Sequence, residues 1–263
     1  MLKLFEQKFI VELSDITPTF GMKPTSIFKY YQETFARYCA KYNVAGYNLY
    51  KIGLKWVFGQ TIAEYFDIIP IWNEEITAKV YISNVKKIRF YLNFEILTKR
   101  GLVAKGQSVV YVLDIETSRP QSVERIVESF SIDEENKNGE IIKTDFEEIS
   151  EILCEKTHRI TVSDLDFNGH TNNISYILFG FKDMPSNYIN DKYPKIIDVR
   201  YLQETFLNDR LKCEICKKEN SFEYKITNNK DNSEVCIVKA LWTNNNMKPD
   251  DFFEALNEIN SGL

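Results

Sequence analysis

The chain has 263 residues, 44% hydrophobic and 14% aromatic, with 33 Lys and Arg against 38 Asp and Glu. That composition builds one or two packed domains and excludes global disorder. A net charge of −5 and a pI near 5.3 argue against a nucleic-acid binder, which carries a basic domain or stripe.

The opening Met1-Leu2-Lys3-Leu4-Phe5-Glu6 lacks the apolar region of a secretory leader, and no apolar run approaches membrane-span length. Five scattered cysteines (Cys39, Cys154, Cys213, Cys216 and Cys236) point to a cytoplasmic chain with reduced thiols. A strand is expected at Lys8–Leu13, then a turn through Pro18 and Gly21. A helix begins near Pro24-Thr25-Ser26, where Ile27, Tyr31, Phe35, Tyr38 and Tyr42 fall on one stripe. Further strands are expected at Val57–Phe66, Glu75–Ile82, Ile88–Leu97 and Ala104–Leu113, with turn signals at Pro70, Ser83-Asn84 and Arg100-Gly101.

Residues 133–150 then carry seven acids against two lysines, a composition suited to an exposed connection. The expected organisation is therefore an N-terminal domain over 1–130, an acidic linker over 131–150 and a C-terminal domain over 151–263. The second half begins with a strand at His158–Val162, a polar segment, and a short helix from Asn172 to Lys182 that stops near Pro185. Strands follow at Ile196–Gln203, Leu211–Lys217, Phe222–Thr227 and Val235–Trp242.

Strand, helix, then four strands, twice over, is an internal repeat. Ser14-Asp15-Ile16 and Ser163-Asp164-Leu165 occupy matching points 149 positions apart. In that register Thr17 stands opposite Asp166, Thr19 opposite Asn168, and Gly21 opposite His170, so only the second copy has acid, amide and imidazole.

Ser163 to Asn173 concentrates two acids, three amides and one of the two histidines, a set a core does not bury without partners. Asp166, Asn168 and His170 alternate, so an extended strand end would project them to one side. A helix starting at Thr171 or Asn172 would aim its N–H groups and positive dipole end at the same volume, an arrangement suited to an oxyanion. His170 is the natural proton-transfer group. His158 reads as structural. Calcium does not fit, because the twelfth position of an EF-hand loop falls on Ser175 or Ile177. Cys213 and Cys216 form a lone CxxC whose side chains point to opposite strand faces, so neither a metal nor a cofactor is expected.

The stretch Asp164-Leu165-Asp166-Phe167-Asn168-Gly169-His170-Thr171-Asn172-Asn173-Ile174-Ser175-Tyr176 resembles the signature of the acyl-acyl carrier protein thioesterases, departing from it at Thr171. Tyr201-Leu202-Gln203-Glu204-Thr205, Gly53-Leu54-Lys55-Trp56-Val57-Phe58 and Leu113-Asp114-Ile115-Glu116-Thr117-Ser118-Arg119-Pro120 extend the resemblance over most of residues 5–243. It implies an α+β double hotdog: two tandem domains, each a long helix wrapped by an antiparallel sheet. It also implies hydrolysis of fatty acyl-acyl carrier protein (acyl-ACP), with Asp166, Asn168, His170 and Glu204 as the catalytic set. Some members have Cys where this chain has Thr205, a poor nucleophile without a dedicated base, which favours activated water and leaves Thr205 as an ordinary strand residue.

The acyl chain is expected in the N-terminal domain, against Tyr31, Phe35 and Trp56. The expected partner is acyl carrier protein bearing a fatty acyl phosphopantetheine, with no nucleic acid and no stable membrane association, in a monomer or homodimer. Acyl carrier proteins are acidic, so Lys86-Lys87-Ile88-Arg89, Lys99-Arg100 with Lys105, and Lys212 with Lys217-Lys218 are candidate docking points. An acyl-CoA thioesterase and a non-catalytic hotdog protein that binds acyl thioesters are the alternatives.

Overall fold

A computed structural model describes residues 4–122, 126, 144, 152–184, 191–245 and 249–261. It divides into two compact units, residues 1–142 with 247–263, and residues 143–246. The acidic linker at 131–150 and the helix stop at Pro185 lie outside the described residues, apart from Thr144, whose hydroxyl donates to the buried Asp198 Oδ2 at 2.7 Å.

The first unit contains β1 (Phe5–Ile10), α1 (Ser26–Lys41), α2 (Gly46–Tyr50), β2 (Leu54–Tyr65), β3 (Glu75–Lys86), β4 (Arg89–Thr98) and β5 (Gly101–Asp114). Its strands lie in the order β1-β3-β4-β5-β2 with every neighbour antiparallel. Helix α1 packs on β1, β3 and β4 through the expected stripe, with Ile27, Tyr31, Phe35 and Tyr38 all buried. It ends where Asn43 turns left-handed (φ 58°), a conformation Asn tolerates at a helix end.

The second unit contains β6 (Ile152–Arg159), α3 (Asn173–Lys182), β7 (Lys192–Tyr201), β8 (Arg210–Lys218), β9 (Ser221–Asn228) and β10 (Glu234–Asn244). Its order is β6-β8-β9-β10-β7, again antiparallel. That is the order of the first unit, strand for strand. Helix α3 packs on β8 and β10, burying Tyr176, Ile177 and Phe179. Each unit is thus one helix against one antiparallel sheet, the double hotdog.

Several details differ from the sequence reading. The strands expected at Lys8–Leu13 and His158–Val162 lie earlier, at Phe5–Ile10 and Ile152–Arg159, and Leu13 and Val162 each open a short 3-10 turn instead. Ser83-Asn84 is no turn: β3 runs through it with a bulge between Ile82 and Asn84, and the chain reverses at Lys87 (φ 56°). The short helix α2 was not expected. Nor was α4 (Pro249–Ser261), which groups with the first unit, whereas the sequence reading carried the C-terminal domain to residue 263. Its signals were present: Pro at the first helical position, acids in the first turn, and Phe252 and Ala255 buried at helical spacing.

The duplication extends to single hydrogen bonds. Thr17 N–H donates to Gly21 O at 2.8 Å, as Asp166 N–H does to His170 O at 2.8 Å. Lys23 N–H reaches Asp15 O at 2.7 Å, and Asn172 N–H reaches Asp164 O at 2.7 Å. Bridges pair Ile16 with Met22 and Gly21 with Ile71 in one copy, Leu165 with Thr171 and His170 with Phe206 in the other. The register inferred from Ser14 and Ser163 is the structural one through this turn, and the matching bridges of Gly21 to Ile71 and of His170 to Phe206 place Ile69 opposite Glu204.

Candidate active site

Asp166, Asn168 and His170 converge, although not through strand periodicity as the alternation suggested. They lie in a tight turn. Asp166 Oδ1 accepts the backbone N–H of Asn168 at 2.8 Å and of His170 at 3.1 Å, while Oδ2 accepts from Asn168 Nδ2 at 3.4 Å. Gly169 closes the turn at φ +79°, a region costly for most side chains. The carboxylate therefore sets the backbone course of Asn168 and His170. Only the amide nitrogen of Asn168 can donate to it, which fixes the orientation of that side chain.

Asp164, the first acid of the motif, is structural: its Oδ2 accepts from Thr161 N–H at 2.9 Å and Thr161 Oγ1 at 2.6 Å. Asn172 is the helix cap, its Oδ1 taking the N–H of Ile174 at 3.0 Å, so α3 begins immediately beyond His170. His158 is also structural, bonded to Asp183 Oδ2 at 2.8 Å and stacked on Phe179 at 4.8 Å.

Glu204 comes from elsewhere in the chain. It lies past the end of β7 rather than within a strand, in a segment anchored upstream by Leu202 N–H to Val235 O at 2.9 Å. Downstream, Thr171 N–H donates to Thr205 O at 2.9 Å. This brings Glu204 Oε1 to 3.5 Å from His170 Nδ1, with the side chains 33% and 20% exposed. The His170 ring stands edge-on to Phe206 at 5.2 Å. A carboxylate beside an imidazole, half-shielded from water, is an arrangement in which a proton can be exchanged.

Thr205, expected as an ordinary strand residue, is instead fully buried in irregular backbone. Its Oγ1 lies 2.7 Å from Thr171 Oγ1 and 2.9 Å from the Tyr176 hydroxyl. A hydroxyl so enclosed does not reach a substrate. The other three candidates, Tyr31, Phe35 and Trp56, belong to one aromatic cluster of the first unit. Tyr31 stacks on Phe94 at 4.2 Å, Phe35 meets Trp56 at 5.6 Å, and Phe58 touches both Tyr31 and Phe35. Trp56 Nε1 donates to Val44 O at 2.7 Å.

Comparison with known proteins places these features. The N-terminal domain of the acyl-ACP thioesterases matches residues 2–130, and their C-terminal domain matches residues 147–244. Among solved structures, an acyl-ACP thioesterase from Bacteroides thetaiotaomicron superposes with a TM-score of 0.78 at 20% identity, covering 92% of this chain and 98% of that one. The 12:0-ACP thioesterase from Umbellularia californica gives 0.79 at 17% identity, covering 92% and 97%. No curated protein sequence matches the chain. With both family domains matched in tandem, and one polar turn facing one glutamate in the second of them, the chain belongs to the acyl-ACP thioesterase family of thioester hydrolases.

Proposed function

We propose that the second unit carries the hydrolytic centre for fatty acyl-ACP, with Glu204 and His170 as the proton-transfer pair and water as the nucleophile. The observation that carries the assignment is the 3.5 Å approach of His170 Nδ1 to Glu204 Oε1, in a family whose members release fatty acid from its carrier. Glu204 takes a proton from the water as its oxygen adds to the thioester carbonyl carbon. The carbonyl becomes an oxyanion, held by the second N–H of the Asn168 amide and by the positive end of α3. The proton on Glu204 passes to His170, and as collapse breaks the C–S bond the departing phosphopantetheine sulfur takes that proton from His170, which restores the pair.

Asp166 acts by holding the turn. The apolar interior of the first unit receives the acyl chain, with Tyr31, Phe35 and Trp56 as its aromatic wall. For the acidic carrier, Lys86, Lys87 and Arg89 at the β3–β4 turn are exposed. Arg100 is committed to Glu74 at 2.6 Å, Lys105 to Glu64 at 3.2 Å and Lys212 to Glu214 at 3.0 Å.

The test is steady-state hydrolysis of one acyl group presented on acyl carrier protein and on CoA. The expected result is a higher kcat/KM for the carrier protein and loss of turnover in His170→Ala. A clear preference for CoA would replace the carrier reading, and intact turnover by folded His170→Ala would remove the site.

A further inference from the structure

Three hydroxyls brace the segment that carries Glu204, and the hydrolytic steps use none of them. Besides its contacts to Thr171 Oγ1 and the Tyr176 hydroxyl, Thr205 offers its carbonyl to Thr171 Oγ1 at 3.2 Å. Thr205, Tyr176 and Thr171 are 0%, 3% and 5% exposed. One arrangement of protons satisfies all three: Tyr176 donates to Thr205 Oγ1, Thr205 to Thr171 Oγ1, and Thr171 to Thr205 O. Burial pushes the Tyr176 phenol up to about 12, so it remains a donor.

The first unit is the internal control. Its equivalents of Thr171, Tyr176 and Thr205 are Met22, Ile27 and Pro70, all buried. The same backbone bond closes there, Met22 N–H to Pro70 O at 2.8 Å. At these three positions the joint between turn, helix and following segment therefore forms without hydroxyls and their desolvation; that segment is braced instead by Arg100 Nη2 donating to Ile69 O at 2.9 Å and by Glu74 Oε2 accepting the Ile71 N–H at 3.0 Å. That copy has Thr17, Gly21 and Ile69 where the second has Asp166, His170 and Glu204. The hydroxyls accompany the site, not the fold.

We propose that Thr205, Thr171 and Tyr176 are positioning residues that lock the backbone beside Glu204 to the helix-bearing side of the site and hold its carboxylate against His170. The inference rests on the hydrolytic reading above. Misplacement by about an ångström costs on the order of 100-fold in rate. Thr205→Val, which keeps the shape and removes the oxygen, is expected to lower kcat for acyl-ACP hydrolysis by about 10- to 100-fold with KM little changed. Thr205→Ser, which restores the oxygen, is expected to recover most of that loss, and Tyr176→Phe to fall between.

Wild-type kcat in folded Thr205→Val and Tyr176→Phe would overturn the proposal. So would Thr205→Ser as impaired as Thr205→Val, since the methyl group and not the hydroxyl would then matter. Should Thr205→Val fail to fold, Tyr176→Phe carries the same test by removing a single oxygen. Glu204→Gln in the same series separates the two readings. If it retains full turnover, the hydrolytic assignment fails; if it is inactive while Thr205→Val is unimpaired, only the positioning fails.

Discussion

Replacing Glu204 by Gln tests the site with little disturbance to the fold. The side chain keeps its volume, and an amide oxygen can still accept from the imidazole. The 3.5 Å contact joins groups 20% and 33% exposed, and such part-exposed pairs are worth at most about 1 kcal/mol. In a protein of this size that moves Tm by about 2–4 °C. Loss of a general base costs roughly 100- to 10,000-fold in rate, or about 2.7–5.4 kcal/mol at 1.36 kcal/mol per decade. The two effects are thus separable. The expected result is a fall in kcat of at least about 100-fold, KM near wild type, and a melting curve displaced by a few degrees. Thiol release from acyl carrier protein gives the rate, and circular dichroism gives the melt. A kcat within about threefold of wild type in the folded variant would refute the reasoning.

Asp166→Ala leaves two backbone N–H groups of a half-buried turn without their acceptor, so kcat is expected to fall by about 100-fold and stability by about 1–3 kcal/mol. Asp166→Asn keeps an oxygen for both N–H groups, and its Tm, read by the same melt, should return close to wild type. Burial raises the thiol pKa of Cys39, Cys213 and Cys236, and Cys216 is also buried. Titration of the native protein with an aromatic disulfide is expected to modify Cys154 first and leave thioester turnover intact; loss of activity in step with modification would implicate a thiol. Gly21→Ala sets a Cβ 2.8 Å from Ile69 Cγ2 and 3.3 Å from the Phe252 ring. Overpacking of this kind costs about 1–3 kcal/mol, visible in the melt, while kcat should hold because the change lies in the unit without the acid, amide and imidazole.

The strands and α1 were legible because half-buried strands and amphipathic helices impose their periods on the residues that fill them. Where the chain is irregular, periodicity misleads. Asp166, Asn168 and His170 looked like one face of a strand, yet their spacing serves a turn in which Asp166 binds the backbone of the other two. Glu204 was reached only through the family resemblance, since nothing local marks a half-buried acid past the end of β7. Thr205 read as a strand residue because its hydroxyl partners, Thr171 and Tyr176, are distant in sequence and their contact exists only in the fold. The helix α4 was missed although its proline start and acidic first turn were visible; the repeat pattern, complete at Trp242, had no place for it.

The packing around Gly21 makes the asymmetry between the halves hard to reverse. Matching the second unit residue for residue would need an imidazole at Gly21 and an acid at Ile69, besides an acid at Thr17 and an amide at Thr19. The space for the imidazole is already taken by the isoleucine and by Phe252 of α4. Replacing Gly21 alone would meet a clash, and replacing Ile69 alone would leave a buried carboxyl without its partner, so either change would weaken the protein. Thr17, Thr19, Gly21, Ile69 and Phe252, the last on a helix at the far end of the sequence, would have to change together. The difference between the two units is thereby fixed by packing at the far end of the chain as well as by the residues of the turn itself.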